Sequence, residues 1–258
     1  MRPRRLTPRF LEKIWGSTHL EPWFESGGKQ IGEVWFETQE IPLLVKFLFT
    51  TDKLSVQVHP GDEYARRHHA SRGKTEMWHV LAAEPGAKIA AGFREKISAE
   101  KFTSAASSGE IETLLEWHEA RPGDTFFIPS GVVHAIGGGL VLCEIQQHSD
   151  VTYRLYDYGR PRELHLDHGV AVSHLGSHRA RAGASGELLV SCPYFTTSRW
   201  EVRGSRTHFS KAHELLIVIE GTGHVNDELT RAGEVWHIPA GAQQVSLRGD
   251  FTLLHTRE

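Results

Sequence analysis

The segment GDTFFIPSGVVH, Gly123 to His134, recurs 110 residues further along the chain as GEVWHIPAGAQQ, Gly233 to Gln244. Both copies place a glycine, an acid, an aromatic residue, an Ile-Pro pair and a second glycine at matching positions. Such a recurrence predicts two related structural units in one chain. His134 of the first copy corresponds to Gln244 of the second, so we expect the chemistry in the first unit and a structural role for the second.

Short runs rich in Val, Ile, Phe and Trp surround these segments and are separated by turn sequences such as Pro60-Gly61-Asp62. This pattern predicts an all-β barrel or sandwich. Two helical interruptions are expected, one over residues 62–71 with Asp62 as its N-cap and one over residues 98–120. A weaker echo aligns Glu214 of HELLIVIEG with Glu76 of TEMWHVLAA, which supports the repeat.

Composition limits the kinds of molecule that this protein is expected to bind and the compartment in which we expect it. The 258 residues include 29 Lys and Arg against 32 Asp and Glu, and the two signs are interspersed, so we expect no nucleic-acid or lipid surface and a small-molecule partner. The two cysteines show no Cys-x-x-Cys spacing, which argues against a disulfide framework or a thiolate zinc site and suits a reducing cytosol. No apolar run is long enough for a signal peptide or a membrane span, so we predict a cytoplasmic protein.

Four side chains could surround one cation. Gln57 and His59 point to the same face because side chains two apart on a strand do so. Glu76 offers a carboxylate from another strand, and the turn at Pro129-x-Gly131 delivers His134 to the start of the next. Two imidazoles, a carboxylate and an amide oxygen suit zinc or another divalent first-row metal, with a coordination position open for substrate.

A phosphate-binding loop is a competing interpretation of Gly73-Lys74-Thr75. In that loop a glycine precedes the Gly-Lys pair by five positions, but His68 stands there and the flanking residues predict strands. We therefore exclude a P-loop.

The motif G-x5-P-x-G-x2-H that begins at Gly123, preceded by Gln57-x-His59 and Glu76, resembles the two motifs of the cupin superfamily. Glutamine in place of the first cupin histidine, within VQVHPGDEYA, resembles the type I phosphomannose isomerases. The resemblance continues through EKIWGSTHL, GEVWFE, GKTEMWHVL and CEIQQHSDVTYRLYDYGR, and it spans most of residues 10–170.

This resemblance implies a mainly β fold, a bicupin with jelly-roll barrels in which the second barrel is reduced. We expect a catalytic cupin domain over residues 1–165 with a helical insertion near 95–120. A linker over 166–187 would lead to a reduced cupin-like domain over 188–258 that lacks metal ligands. The family's zinc ligands match Gln57, His59, Glu76 and His134, which implies one Zn²⁺ per chain.

The implied activity is interconversion of D-mannose 6-phosphate and D-fructose 6-phosphate through an enediolate, with a sugar phosphate as partner. The family's active-site arginine matches Arg154, which would stabilise the enediolate oxygens. Lys74 and Glu144 fall on pocket positions and are candidates for proton handling or for binding hydroxyl groups.

Two alternatives remain open. Two histidines and one carboxylate can also hold Fe(II) in a cupin dioxygenase. A non-catalytic sugar-binding cupin would keep the pocket without turnover. The oligomeric state is not predicted.

Overall fold

The computed structural model of the protein describes residues 2–181, 186–241 and 244–258. Strands make up 48% of the chain and helices 12%, which confirms the predicted mainly β class. The described strands form three sheets with open strand orders, and the expected closed barrels are not seen among them. None of the described helices is long and apolar enough to cross a membrane.

The strands, in chain order, are β1 (Arg4–Arg5), β2 (Arg9–Ser17), β3 (Ile31–Glu37), β4 (Leu43–Thr50), β5 (Val56–Val58), β6 (Glu76–Ala83), β7 (Lys88–Phe93), β8 (Leu115–Glu119), β9 (Thr125–Ile128), β10 (His134–Ile136), β11 (Leu140–Gln147), β12 (Tyr153–Tyr156), β13 (Leu188–Ser191), β14 (Thr196–His208), β15 (Glu214–Val225), β16 (Glu228–Arg231), β17 (Val235–Ile238) and β18 (Val245–Arg257). The helices are α1 (Asp62–His69), α2 (Ala99–Ser108), α3 (Ile111–Leu114) and α4 (Leu166–Val172).

Contacts divide the described residues into two compact units. The first unit draws on residues 1–13, 17–47 and 183–258. Its main sheet has the order β1-β17-β15-β18-β14-β13, with β16 paired to β15. β1 adds an edge strand by pairing with β17, and the indole N–H of Trp23 donates to the Ile219 carbonyl at 2.8 Å. This division groups 17–47 with the C-terminal strands, whereas the sequence prediction placed all of 1–165 in one domain.

The second unit draws on residues 14–16 and 48–182 and contains all of the predicted site residues. Its strands include the sheet β12-β5-β10-β7-β8 and the ladder β11-β6-β9. Buried side chains form two apolar clusters, one around Trp78 and Phe126 and one around Phe93, Phe102 and Tyr153. Burial of large side chains such as these is the main source of stability in a domain of this size.

The sequence repeat corresponds to a structural repeat. Glu76 of β6 pairs with Ile128 of β9, and Glu214 of β15 pairs with Ile238 of β17. The leading glycine of each copy has a positive φ, +89° at Gly123 and +90° at Gly233, a conformation that residues with a Cβ rarely adopt. The two copies of the segment thus share their strand pairing and the geometry of their leading turn, and the division into two related cupin-like units stays a prediction.

Both helical predictions need correction. α1 begins at Asp62, but its N-cap is Gly61, and the Asp62 carboxylate instead accepts the Gly73 backbone N–H at 2.7 Å. In the second segment α2 has Ser98 as its N-cap and ends at Ser108, with Gly109 as its C-cap at φ +84°. The chain then forms α3 and the strand β8, which pairs with β7, because sheet formation outweighs the local helical pattern there.

The predicted linker is also partly ordered. α4 lies within residues 166–187, and His174 forms a β-bridge with Val132. Further along, the ring of His178 bonds the Phe127 carbonyl at 2.9 Å. Residues 182–185 of this segment lie outside the described residues.

Candidate metal centre

Three of the four predicted ligands converge at one point. His59 follows β5 directly, Glu76 is the first residue of β6, and His134 is the first residue of β10. The Nε2 atoms of His59 and His134 each lie 3.5 Å from Oε1 of Glu76. All three side chains are at most 1% exposed. Ligand atoms 2.0–2.2 Å from a tetrahedral zinc ion stand roughly 3.3–3.6 Å apart, so the two distances to Glu76 fit a zinc ion.

The other ring nitrogens orient the two imidazoles. Nδ1 of His59 lies 3.1 Å from the Val151 carbonyl oxygen, and Nδ1 of His134 lies 2.9 Å from the Val132 carbonyl oxygen. A carbonyl can only accept, so each Nδ1 carries the proton and each Nε2 is left with a lone pair. Metal-binding histidines are commonly oriented in this way.

Two of the polar atoms at the centre lack a hydrogen-bond partner. Among the described residues, neither Nε2 of His134 nor Oε1 of Glu76 has a hydrogen-bond partner, although both are buried. Buried polar atoms without partners are costly, and a divalent ion would satisfy both atoms at once. The donor set therefore fits a metal of the zinc class.

The protonation states also suit a metal. Burial lowers the pKa of His59 to about 3 and lowers the pKa of His134. For Glu76, burial raises the carboxyl pKa, but the adjacent Lys74 ammonium and His59 outweigh it and hold the pKa well below its usual range. At neutral pH the imidazoles are neutral and the carboxylate is ionised, as ligation requires.

Gln57, the fourth predicted ligand, lies in the same sheet. On β5 it is directly opposite His134 of β10 on one side and Arg154 of β12 on the other. Residues directly opposite one another on neighbouring strands point to the same face. The half-buried Gln57 therefore shares a face with His134 and Arg154.

Lys74 and Glu144 adjoin the three converging ligands. Nζ of Lys74 lies 2.8 Å from Oε2 of Glu76, 3.0 Å from Nε2 of His59 and 3.9 Å from Oε1 of Glu144. Oε2 of Glu144 accepts the indole N–H of Trp78 at 3.0 Å. Lys74 and Glu144 are both buried. A cation and a second carboxylate are thus held next to the candidate metal position, where they could transfer protons or bind hydroxyl groups.

In the described part of the chain, Arg154 forms no hydrogen bond or ion pair with the converging ligands. Its Nη1 donates to the Glu163 carbonyl at 2.9 Å, and its buried Nε has no hydrogen-bond partner among the described residues. The nearby Asp157 carboxylate is bound by Arg160 and Arg162.

Two further residues adjoin the site. Trp78 lies two residues after Glu76 on β6, so strand periodicity places it on the same face. Its indole bonds Glu144, and its ring lies edge-on to His134 at 5.3 Å. Gln146 is fully buried opposite Glu76 on β11, which only the strand pairing reveals.

Comparisons with known proteins identify a family that this chain resembles in sequence and in fold. The model for the family "Phosphomannose isomerase type I, catalytic domain" matches residues 7–79. The mannose-6-phosphate isomerase ManA of Bacillus subtilis (strain 168) is 34% identical, over 96% of this chain and 96% of that protein. A crystal structure of a mannose 6-phosphate isomerase from Bacillus subtilis superposes with a TM-score of 0.88 at 28% identity, covering 100% of both chains. A zinc-bound mannose 6-phosphate isomerase shares the fold, with a TM-score of 0.80 at 15% identity and 100% of both chains covered.

Proposed function

Because the chain belongs to the type I phosphomannose isomerase family, we propose that it is a metal-dependent aldose-ketose isomerase of D-mannose 6-phosphate and D-fructose 6-phosphate. The observation that carries the proposal is the buried pair of imidazoles that share one carboxylate oxygen of Glu76. Family membership favours this activity over the oxygenase and the non-catalytic sugar-binding alternatives.

His59, Glu76 and His134, with the Gln57 amide, would hold one zinc ion. When bound, zinc would act as a Lewis acid toward the sugar oxygens at C1 and C2, a contribution of several kcal/mol in comparable sites. The orphaned Nε2 of His134 and the ionised state of Glu76 support this assignment.

Isomerisation moves a proton between C1 and C2 of the open-chain sugar and passes through an enediolate. Among the three candidates, Glu144 is the best-supported proton acceptor, because its carboxylate can accept a proton. Lys74 and Arg154 have cationic groups instead. The indole N–H of Trp78 holds this carboxylate in one orientation. The Lys74 ammonium, 3.9 Å from Glu144, would stabilise negative charge that develops on substrate oxygens.

Arg154 would act from the neighbouring strand. It shares a face with Gln57, and its Nε has no described partner, so the guanidinium has donors available for the enediolate or for sugar hydroxyls. A forked, permanently charged guanidinium suits two adjacent oxygens.

A coupled assay tests the proposal. Purified protein stripped by a chelator should lose turnover of mannose 6-phosphate and regain it when Zn²⁺ is added. Arg154→Ala should lower kcat about 10²–10³-fold with zinc content unchanged, because it removes a donor to developing charge. The exposed Arg179 provides the matched control, and Arg179→Ala should retain full activity.

Activity that is indifferent to the chelator would contradict the proposal. Oxygen consumption by an iron-loaded sample would favour the dioxygenase alternative. Zinc binding without turnover in the wild-type protein would favour a non-catalytic sugar-binding protein.

A further inference from the structure

A second cluster of ligand-type side chains lies in the C-terminal strands. Nε2 of His208 lies 2.5 Å from Oε2 of Glu214, and Nε2 of His255 lies 2.9 Å from the same oxygen. Among the described residues, this cluster and the set His59, Glu76 and His134 are the groups of three whose ligand atoms all lie within 4.8 Å of one another. We propose that His208, Glu214 and His255 form a second divalent metal site, of the class that binds zinc.

Some positions of this C-terminal cluster correspond to positions of the first site, and others do not. Glu214 occupies the position of Glu76, since each is the first residue of its strand and each pairs with the isoleucine of the Ile-Pro turn. His255 of β18 lies opposite Leu216, two residues beyond Glu214, just as Glu144 lies opposite Trp78. The second unit thus has no counterpart of His134 at Gln244, but it supplies imidazoles from other positions. The sequence-based expectation that it lacks metal ligands conflicts with this proposal.

The three groups offer the ligand types that zinc binds. Glu214 and His255 are buried, and the His208 side chain is 19% exposed. Two imidazoles and one carboxylate form a known zinc ligand set. Zinc would replace the two hydrogen bonds to Glu214, and each ring would release the proton from the nitrogen that binds the metal.

The distances between the ligand atoms of this cluster indicate how tightly it should bind zinc. Tetrahedral zinc ligands stand roughly 3.3–3.6 Å apart, so the two short contacts to Glu214 must open by roughly 0.5–1 Å on binding. His208 is the last residue of β14 and partly exposed, so it can move most easily. His255 is stacked on Trp200, with ring centroids 4.1 Å apart, and should stay in place. We therefore expect this site to bind zinc more weakly than the set around Glu76, where the corresponding distances are already 3.5 Å.

A bound ion here would link two histidines that lie near opposite ends of the β14–β18 ladder. His208 pairs with Val245 at one end of the β14–β18 ladder, and His255 pairs with Ser198 near the other end. Their ring centroids are nevertheless 5.2 Å apart, so the ladder bends back on itself. A metal that links both histidines to Glu214 would stabilise this bend, a structural role separate from turnover.

Zinc stoichiometry of the full chain tests the inference. Titration against a graded chelator should show two equivalents per wild-type chain, with the weaker one released first. His208→Gln should bind one equivalent and retain isomerase activity. The matched control is His224→Gln, which changes an exposed histidine on β15 and should still bind two. Crystals grown with zinc should show an anomalous peak between His208, Glu214 and His255.

The outcomes separate this inference from the proposed function. One equivalent in both the wild-type protein and His208→Gln, with no peak at the C-terminal cluster, would overturn the second site and leave the isomerase proposal intact. Glu76→Gln should lose the tightly bound zinc and keep the weakly bound zinc. This result is expected even if the protein has no isomerase activity. Should His208→Gln fail to fold, as judged by circular dichroism, the anomalous peak in wild-type crystals decides the question.

Discussion

At the scale of single residues, the two faces of β11 serve different purposes. Glu144 points to the candidate metal centre, where Trp78 and Lys74 compensate its buried charge. The next side chain along a strand points to the opposite face, so Cys143 points away from the centre, and it is fully buried. A buried charge therefore has partners on one face, and a buried thiol remains neutral on the other.

The thiol of Cys143 makes stability sensitive to alkaline pH. Burial raises its pKa above the ordinary value of 9.0. The folded chain then keeps the proton while the unfolded chain loses it, so this contribution is present below pH 9 and is lost as pH rises. Between pH 8 and pH 10 the free energy of unfolding of the wild-type protein should fall by about 1.4 kcal/mol more than that of Cys143→Ala.

Urea unfolding at each pH measures this difference. Cys192 is partly exposed, and Cys192→Ala should reproduce the wild-type pH dependence. Parallel pH profiles for Cys143→Ala and the wild-type protein would show that the unfolded state does not gain from ionisation of this thiol.

At the scale of elements, the loop between β5 and β6 positions three site residues. The Lys74 N–H donates to the Pro60 carbonyl at 3.0 Å, which closes the loop around α1. Gly73 passes so close that an added Cβ would lie 2.6 Å from the Asp62 nitrogen and 2.9 Å from the Pro60 oxygen. The close approach of the backbone next to His59 thus explains why a glycine stands at position 73. A phosphate-binding loop is not needed to explain it.

Gly73→Ala should disturb this loop. The atoms it would meet are backbone atoms that cannot rotate away, so we expect a loss of about 1–3 kcal/mol in the free energy of unfolding. Zinc affinity should fall with it, because the loop connects His59 to Lys74 and Glu76. Chemical unfolding and zinc titration measure the two effects.

Gly61→Ala provides the comparison in the same loop. Its added Cβ would meet only the Ser130 hydroxyl oxygen at 3.4 Å, an ordinary contact. We expect a cost below about 1 kcal/mol, from the poorer N-cap of α1, and unchanged zinc affinity. Equal effects of the two substitutions would refute the role assigned to the close approach at Gly73.

At the scale of the whole molecule, zinc should act as a stabilising ligand. A metal that binds only the folded chain stabilises it by about 4 kcal/mol when its concentration is 1,000 times its Kd. For a chain of this length we expect the Tm to rise by about 8–16 °C over the chelated protein. Differential scanning calorimetry with and without chelator measures the shift.

His134→Asn offers a control for this shift. It removes one imidazole from the tight site, so zinc should raise its Tm by less than it raises that of the wild-type protein, and the remaining rise would come from the weaker C-terminal site. A wild-type Tm that does not respond to the chelator would mean that the three converging ligands hold no metal in solution.

Much of the candidate site followed from local sequence rules. The period of two places Gln57 and His59 on one face, and the turn at Gly131, with φ +86°, brings His134 to the start of β10. The mainly β class and the repeat of the Ile-Pro turn were also predicted, because both depend on patterns within a few residues. The predicted helix over 98–120 was wrong in its last part, because Leu115–Glu119 gains more from pairing with β7 than from its helical pattern.

By itself the sequence determined the strand class, the faces of the ligand residues, the turn that carries His134 and the resemblance to an isomerase family. Only the tertiary structure decided that β5 lies between β10 and β12, which aligns Gln57 with His134 and Arg154. It also brought His208 to His255 from opposite ends of one ladder. The reason is physical: backbone geometry sets side-chain direction within a strand, whereas distances between strands depend on pairings between residues far apart in the chain.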